Sequence, residues 1–128
     1  MSRVRARDTK PELRVRSLLH KLGYRFRLHR RDLPGKPDLY LPKHKLAIFV
    51  NGCFWHGHQN CLRSKLPETR KDFWERKIDT NRRRDAISIA ELAKRGIKSV
   101  TLWECQLKED NMIASAVEQA FAPRMFID

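Results

Sequence analysis

The chain has 128 residues, with 28 Lys+Arg against 15 Asp+Glu and a formal charge of +13. That length suits one domain with a thin core, and 41% hydrophobic content excludes a disordered tail. No apolar run reaches the ~18 residues of a membrane span, and the opening MSRVRARDTK lacks the apolar stretch of a secretory signal. The expectation is a single domain over residues 1–128, intracellular, with no membrane role. Three cysteines are an odd number for a disulfide framework, so reduced thiols or a metal site are expected. The charge points to a polyanion, nucleic acid ahead of a membrane surface, because Lys and Arg release counterions condensed on phosphates.

Asp8 or Thr9 caps a first helix, with Pro11 in its first turn and Glu12 near its positive end. Val15, Leu18, Leu19 and Leu22 recur at helical spacing until Gly23 stops them. Residues 24–29 alternate like a strand, residues 33–37 form a Pro-Gly turn, and Asp38 to Leu41 is a short strand. Lys43-His44 begins a second turn before an apolar buried strand, Leu46 to Val50. Residues 51–68 lose all periodicity, and so long a loop in a compact domain is functional or held by something. Residues 69–95 read as helix, in two pieces with a break near Asp79-Thr80, ended by Gly96. A strand over Ile97 to Trp103 and a helix over 110–121 complete the chain. The order α-β-β-β-loop-α-β-α predicts a three-layer α/β or α+β sandwich around a mixed sheet.

Three residue groups carry chemistry. Cys53, His58 and Cys61 have the spacing C-x4-H-x2-C, and Cys105 follows the last strand. Three thiolates and one imidazole are the composition of a closed structural zinc site, with His56 in reach as an alternative to His58. The competing reading is three unrelated buried cysteines. Asp38 at a strand start, Glu12 on the first helix and the strand end at Val50-Asn51 offer oxygen ligands for Mg²⁺ beside a basic surface. Taken alone, Asp38 equally suits a turn and Glu12 a solvated helix face. Phe54-Trp55 and Phe73-Trp74 suit wedging between base steps, and Arg76, Lys77, Arg82, Arg83 and Arg84 suit phosphate contacts. One of Phe73 and Trp74 is expected to pack the helix on the sheet instead.

Asp8-Thr9-Lys10-Pro11-Glu12, Leu33-Pro34-Gly35-Lys36-Pro37-Asp38 and Asn51-Gly52-Cys53-Phe54-Trp55-His56-Gly57-His58 resemble the very short patch repair endonucleases. So do Thr69-Arg70, Phe73-Trp74, Lys77, Asn81, Arg84-Asp85 and Trp103-Glu104-Cys105, in order from about residue 7 to about 108. The resemblance implies a restriction-endonuclease-like α/β fold: three layers, a central mixed β-sheet flanked by helices, and a zinc-stabilised loop. It implies a bacterial, cytoplasmic and nucleoid-associated enzyme. Such an enzyme uses Mg²⁺ to nick double-stranded DNA 5′ to the T of a T:G mismatch, left when 5-methylcytosine deaminates. Asp38 would be the principal Mg²⁺ ligand with the Val50 carbonyl, His56 the general base, and Glu12 the group that orients water or His56. Structural Zn²⁺ would go to Cys53, His58, Cys61 and Cys105. Phe54, Trp55 and Trp74 would form the wedge, with Arg70, Lys77 and Arg84 on the DNA. A monomer is expected, in possible contact with host mismatch-repair factors.

The chain also departs from that pattern. Val50-Asn51 stands where the family has Thr-His, and Asn51 donates a hydrogen bond but supplies no proton, so altered or slower chemistry is expected. Val50 and Gly52 lack the acid and lysine of the wider nuclease pattern, as the repair branch does. Gln59-Asn60 lengthens the His58–Cys61 spacing relative to some relatives, and only Met1 to Arg7 precede the first helix where such enzymes lay an arm in the DNA groove, so a weaker DNA grip or relaxed sequence choice is expected. Two alternatives stand beside the main reading: a nicking nuclease with another mismatch or lesion as target, and a catalytically weakened zinc-stabilised DNA-binding module.

Overall fold

A computed structural model describes residues 9–53 and 65–121. Helix α1 spans Lys10–Lys21, and of the two candidate caps it is Thr9 whose hydroxyl accepts from the Glu12 N–H at 3.3 Å. Val15, Leu18 and Leu19 form its buried stripe. Gly23 follows at φ +88, the left-handed conformation that ends a helix without a Cβ penalty.

The 24–29 strand is shorter than its alternation predicts. Only Arg27–Leu28 pair, as β1, while Tyr24 and Phe26 turn inward onto the core. His29 ends the strand at φ 49. Strand β2 is Leu39–Leu41 and β3 is Leu46–Asn51, joined by a 3-10 turn over Pro42–His44. Helix α2, Lys71–Lys94, is one unbroken helix of 24 residues, correcting the expected break near Asp79-Thr80. Thr80 returns its hydroxyl to the Arg76 carbonyl at 2.9 Å, and Asp79 pairs with Arg83 at 2.6 Å one turn on. Both residues therefore satisfy themselves within the helix instead of competing with it. Strand β4 is Lys98–Trp103, a 3-10 turn over Glu104–Gln106 follows, and α3 is Asp110–Phe121.

The sheet order is β1-β2-β3-β4, antiparallel across the first three and parallel between β3 and β4. It is mixed, as expected, and alternation along the central strand sorts its side chains into two cores. Leu46 and Ile48, with Val50 packed beside them, join Leu39, Leu41, α1 and α3 on one face. Ala47, with Phe49 against it, joins Leu33, Leu92 and Ile97 on the α2 face. Covering both faces requires the apolar run that the sequence shows. Among the described residues no helix is long and apolar enough to cross a membrane.

The hairpin between β1 and β2 is tightly held. Gly35 sits at φ +77 where a Cβ would lie 2.7 Å from the Ser88 Cβ of α2 and 3.1 Å from Phe49. Arg30 grips Asp32 with two hydrogen bonds, Nε to Oδ1 at 2.7 Å and Nη2 to Oδ2 at 2.6 Å, and lies over the Tyr40 ring at 5.4 Å.

Candidate active site

The C-terminal ends of the parallel strands β3 and β4 share one edge of the sheet with the start of β2 and the end of β1. Open α/β sheets place their ligand sites at such an edge. Asp38 stands one residue before β2. Its Oδ2 accepts the Val50 N–H at 2.7 Å, just past the point where β2–β3 pairing stops at Leu39 and Ile48. A charge-assisted bond of this length fixes the carboxylate at the end of the sheet. Val50 is half-buried, and Asn51, the last residue of β3, is buried at 8% exposure.

Glu12 is brought to the same place from α1. It is 2% exposed, an unusual position for a carboxylate, and burial of that kind requires a partner. The partner is His29, whose Nε2 lies 2.7 Å from Glu12 Oε2. Arg16, one turn further along α1, approaches the same oxygen at 3.6 Å. His29 also faces Asp38 through the backbone, its N–H donating to the Asp38 carbonyl at 3.1 Å. One ligand atom from each of Glu12, His29 and Asp38 fits within 4.8 Å of the other two. Oxygens and an imidazole at that spacing fit a divalent cation with bonds of ~2.1 Å, whose neighbouring ligands stand about 3 Å apart.

The sequence reading named Glu12 and Asp38, and the fold brings them together. It missed His29, which sits at the end of a basic, alternating segment and resembles a surface residue. The signal that finds it is the Pro-Gly turn at 33–37. Folding the chain back there pairs Leu28 with Leu39 and so sets residue 29 opposite 38.

The zinc candidates are placed in part. The β3–β4 register, which ends with Asn51 opposite Trp103, carries Cys53 and Cys105 each two residues beyond its strand. Cys53 is buried and Cys105 half-buried, and neither is in a disulfide. His58 and Cys61 lie outside the described residues, as do His56 and the predicted wedge pair Phe54 and Trp55.

The predicted DNA residues fall on α2 and its cap. Arg70 precedes the helix at φ 57, with its guanidinium 4.3 Å from the Phe73 ring centre. Phe73 stands edge to face with Trp74 at 5.1 Å. Trp74 is half-buried while Phe73 is 37% exposed, so the more apolar ring of the pair is the one facing out. Lys77 and Arg84, seven residues apart, are both exposed on α2, whose buried residues are Ile78 and Leu92.

The family model described as DNA mismatch endonuclease Vsr matches residues 1–63. The chain is similar to the type II nicking enzyme V.XorIIP of Xanthomonas oryzae pv. oryzae (strain KACC10331 / KXO85). The two are 46% identical over 123 residues, which is 96% of this chain and 90% of that protein. To the DNA mismatch endonuclease Vsr of Escherichia coli (strain K12) it is 41% identical over 108 residues, covering 84% of this chain and 69% of that one. Among solved structures, the homing endonuclease I-Bth0305I catalytic domain aligns with a TM-score of 0.59 at 22% identity, over 89% of this chain and 95% of that chain.

Proposed function

This chain belongs to the Vsr family of DNA mismatch endonucleases, and we propose that it nicks duplex DNA 5′ to the T of a T:G mismatch with the help of Mg²⁺. It is a DNA endonuclease on the restriction-endonuclease-like α/β fold. The observation that carries the reading is the convergence of Glu12, His29 and Asp38 within 4.8 Å at the C-terminal edge of the sheet. Such a cluster in a chain of formal charge +13 suits phosphodiester chemistry on a polyanion.

Asp38 and the Val50 carbonyl are the groups that would hold Mg²⁺, which when bound polarises the scissile phosphate and offsets its developing charge. Val50 holds Asp38 in turn, because its N–H fixes the carboxylate at 2.7 Å. Glu12 is held rigidly beside Asp38 by burial and by His29, which suits it to orient the attacking water. His56 takes the proton of that water as general base. Asn51 stands where the family has His. It stabilises the phosphate by hydrogen bonding and leaves protonation of the departing oxygen to solvent, which predicts a slower step. Phe54, Trp55 and Trp74 wedge the mismatch, whose weak stacking lowers the cost of opening the step. Arg70, Lys77 and Arg84 grip the backbone. Cys53, His58, Cys61 and Cys105 would hold one structural Zn²⁺, tying the loop to the ends of β3 and β4, since Cys53 and Cys105 each follow a strand whose last residues, Asn51 and Trp103, are paired.

The test is cleavage of a labelled duplex carrying a single T:G pair. A divalent-cation-dependent nick in the T strand, absent from matched T:A and C:G duplexes, is expected. Equal cutting of matched duplexes would overturn the mismatch reading. Zinc is checked separately: the purified chain should carry about one Zn²⁺, and Cys105→Ser should lower both the metal content and the melting temperature.

A further inference from the structure

We propose that His29 is a direct ligand of the catalytic cation, so that the site is a mixed oxygen–nitrogen site that favours Mn²⁺ over Mg²⁺ more than carboxylates alone would. The proposal rests on the reading of Asp38 as a cation ligand and adds a residue that reading does not contain.

Three observations carry it. First, the His29 ring is aimed inward: its side chain is 16% exposed, and Nε2 lies 2.7 Å from an oxygen of Glu12, itself 2% exposed. Second, the backbone locks the ring's position relative to Asp38. The His29 N–H bonds the Asp38 carbonyl at 3.1 Å, and the β1–β2 register makes the two residues the next facing pair after Leu28 and Leu39. Third, the three side chains are close enough to share one cation. A salt bridge serving only to bury Glu12 does not call for Asp38, yet one oxygen or nitrogen from each of the three residues lies within the same 4.8 Å. Octahedral ligands at ~2.1 Å stand about 3 Å apart when adjacent and about 4.2 Å when opposite. His29 Nε2 can stand at one corner of such a shell and Asp38 at another, with Glu12 Oε2, 2.7 Å from the ring, left beside them to orient water.

The nitrogen changes the metal preference. Mg²⁺ takes oxygen ligands almost exclusively and holds its water tightly, whereas imidazole suits first-row transition metals. Mn²⁺ accepts both donor types in the same geometry. Removing the imidazole while keeping the two carboxylates should therefore cost Mn²⁺ affinity far more than Mg²⁺ affinity.

The experiment uses the full chain without DNA, in a His56→Ala background so that this second imidazole does not contribute. Mn²⁺ binding is followed by the loss of the free-ion electron paramagnetic resonance signal, and pulsed resonance reads nitrogen-14 modulation from a directly bound ring. Mg²⁺ affinity is read by competition. The parent should show nitrogen modulation. His29→Gln, whose amide keeps a donor for Glu12 and so guards the fold, should lose it and bind Mn²⁺ about ten-fold more weakly, with Mg²⁺ affinity changed by less than about three-fold. Parent Mn²⁺ without nitrogen modulation, or modulation undiminished in His29→Gln, would overturn the proposal. Asp38→Asn separates the two levels. If it abolishes Mn²⁺ binding while His29→Gln has no effect, the Asp38 reading stands and the His29 ligand fails. If Asp38→Asn binds like the parent, the cation is not at this cluster and both fail.

Discussion

Replacing Gly35 by Ala tests how the hairpin that carries Asp38 is seated. Two costs add. A residue with a Cβ at φ +77 costs ~1–2 kcal/mol in the left-handed region. The new methyl would also lie 2.7 Å from Ser88 Cβ, 2.8 Å from Ser88 Oγ and 3.1 Å from Phe49 Cε1. Oγ can rotate away, but Ser88 Cβ is fixed to the α2 backbone, so the helix or the hairpin must shift, at ~1–3 kcal/mol for overpacking. The expected loss is about 2–5 kcal/mol, a large share of the ~5–15 kcal/mol that holds a domain of this size. Gly23→Ala is the control, since φ is +88 there but nothing lies within 4 Å of its Cβ. It should cost only the backbone part, about 1–2 kcal/mol. Urea unfolding of the parent, both single variants and Gly35→Ala combined with Ser88→Gly measures each cost. The double variant should recover about 1–2 kcal/mol of the steric part after allowing for glycine in a helix. Equal losses at positions 23 and 35, or no coupling between 35 and 88, would refute this packing of hairpin against helix.

Other outcomes follow from single contacts. Thr9→Ala removes the cap on the Glu12 N–H and should destabilise the chain by about 1 kcal/mol in the same urea assay, while Thr9→Ser should cost little. The hydrogen bonds from Arg30 hold the Asp32 carboxyl down at about 2. A depressed acid contributes stability above its ordinary value of 3.8 that disappears as pH falls towards 2. A carbon-detected titration should show the low value in the parent and a return towards 3.8 in Arg30→Ala. Lys77→Ala with Arg84→Ala should weaken binding to matched and mismatched duplex alike. If each contacts one phosphate, the slope of log K against log salt should fall by ~1.8 in a filter-binding series. An unchanged slope would place both residues off the DNA.

Much of this fold was legible because local signals and burial agree. Thr9, Pro11 and Gly23 bracket α1, and the apolar run at 46–50 needs two covered faces, which the two cores supply. Where sequence misled, tertiary contacts had won. The alternation over 24–29 belongs to only two paired residues, because Tyr24 and Phe26 serve the core rather than a ladder. Asp79 and Thr80 read as helix breakers until their i,i+4 partners are seen. The site shows the same divide. Asp38 and Glu12 stand in recognisable motifs. His29 meets Glu12 and Asp38 only through pairing across the hairpin, and a long-range juxtaposition leaves no local trace in a segment of alternating arginines.

The most direct measurement of the central claim is a nicking assay on a duplex with T:G in a CT(A/T)GG setting, with matched T:A and C:G duplexes beside it, in Mg²⁺ and in EDTA. Asp38→Asn is the companion variant, because its amide oxygen can still accept the Val50 N–H while the charge is lost. A Mg²⁺-dependent nick 5′ to the mispaired T is expected in the parent, slowed by Asn51, hastened by Asn51→His and abolished by Asp38→Asn with mismatch binding retained. Undiminished nicking by Asp38→Asn, or cutting that ignores the mismatch, would contradict it.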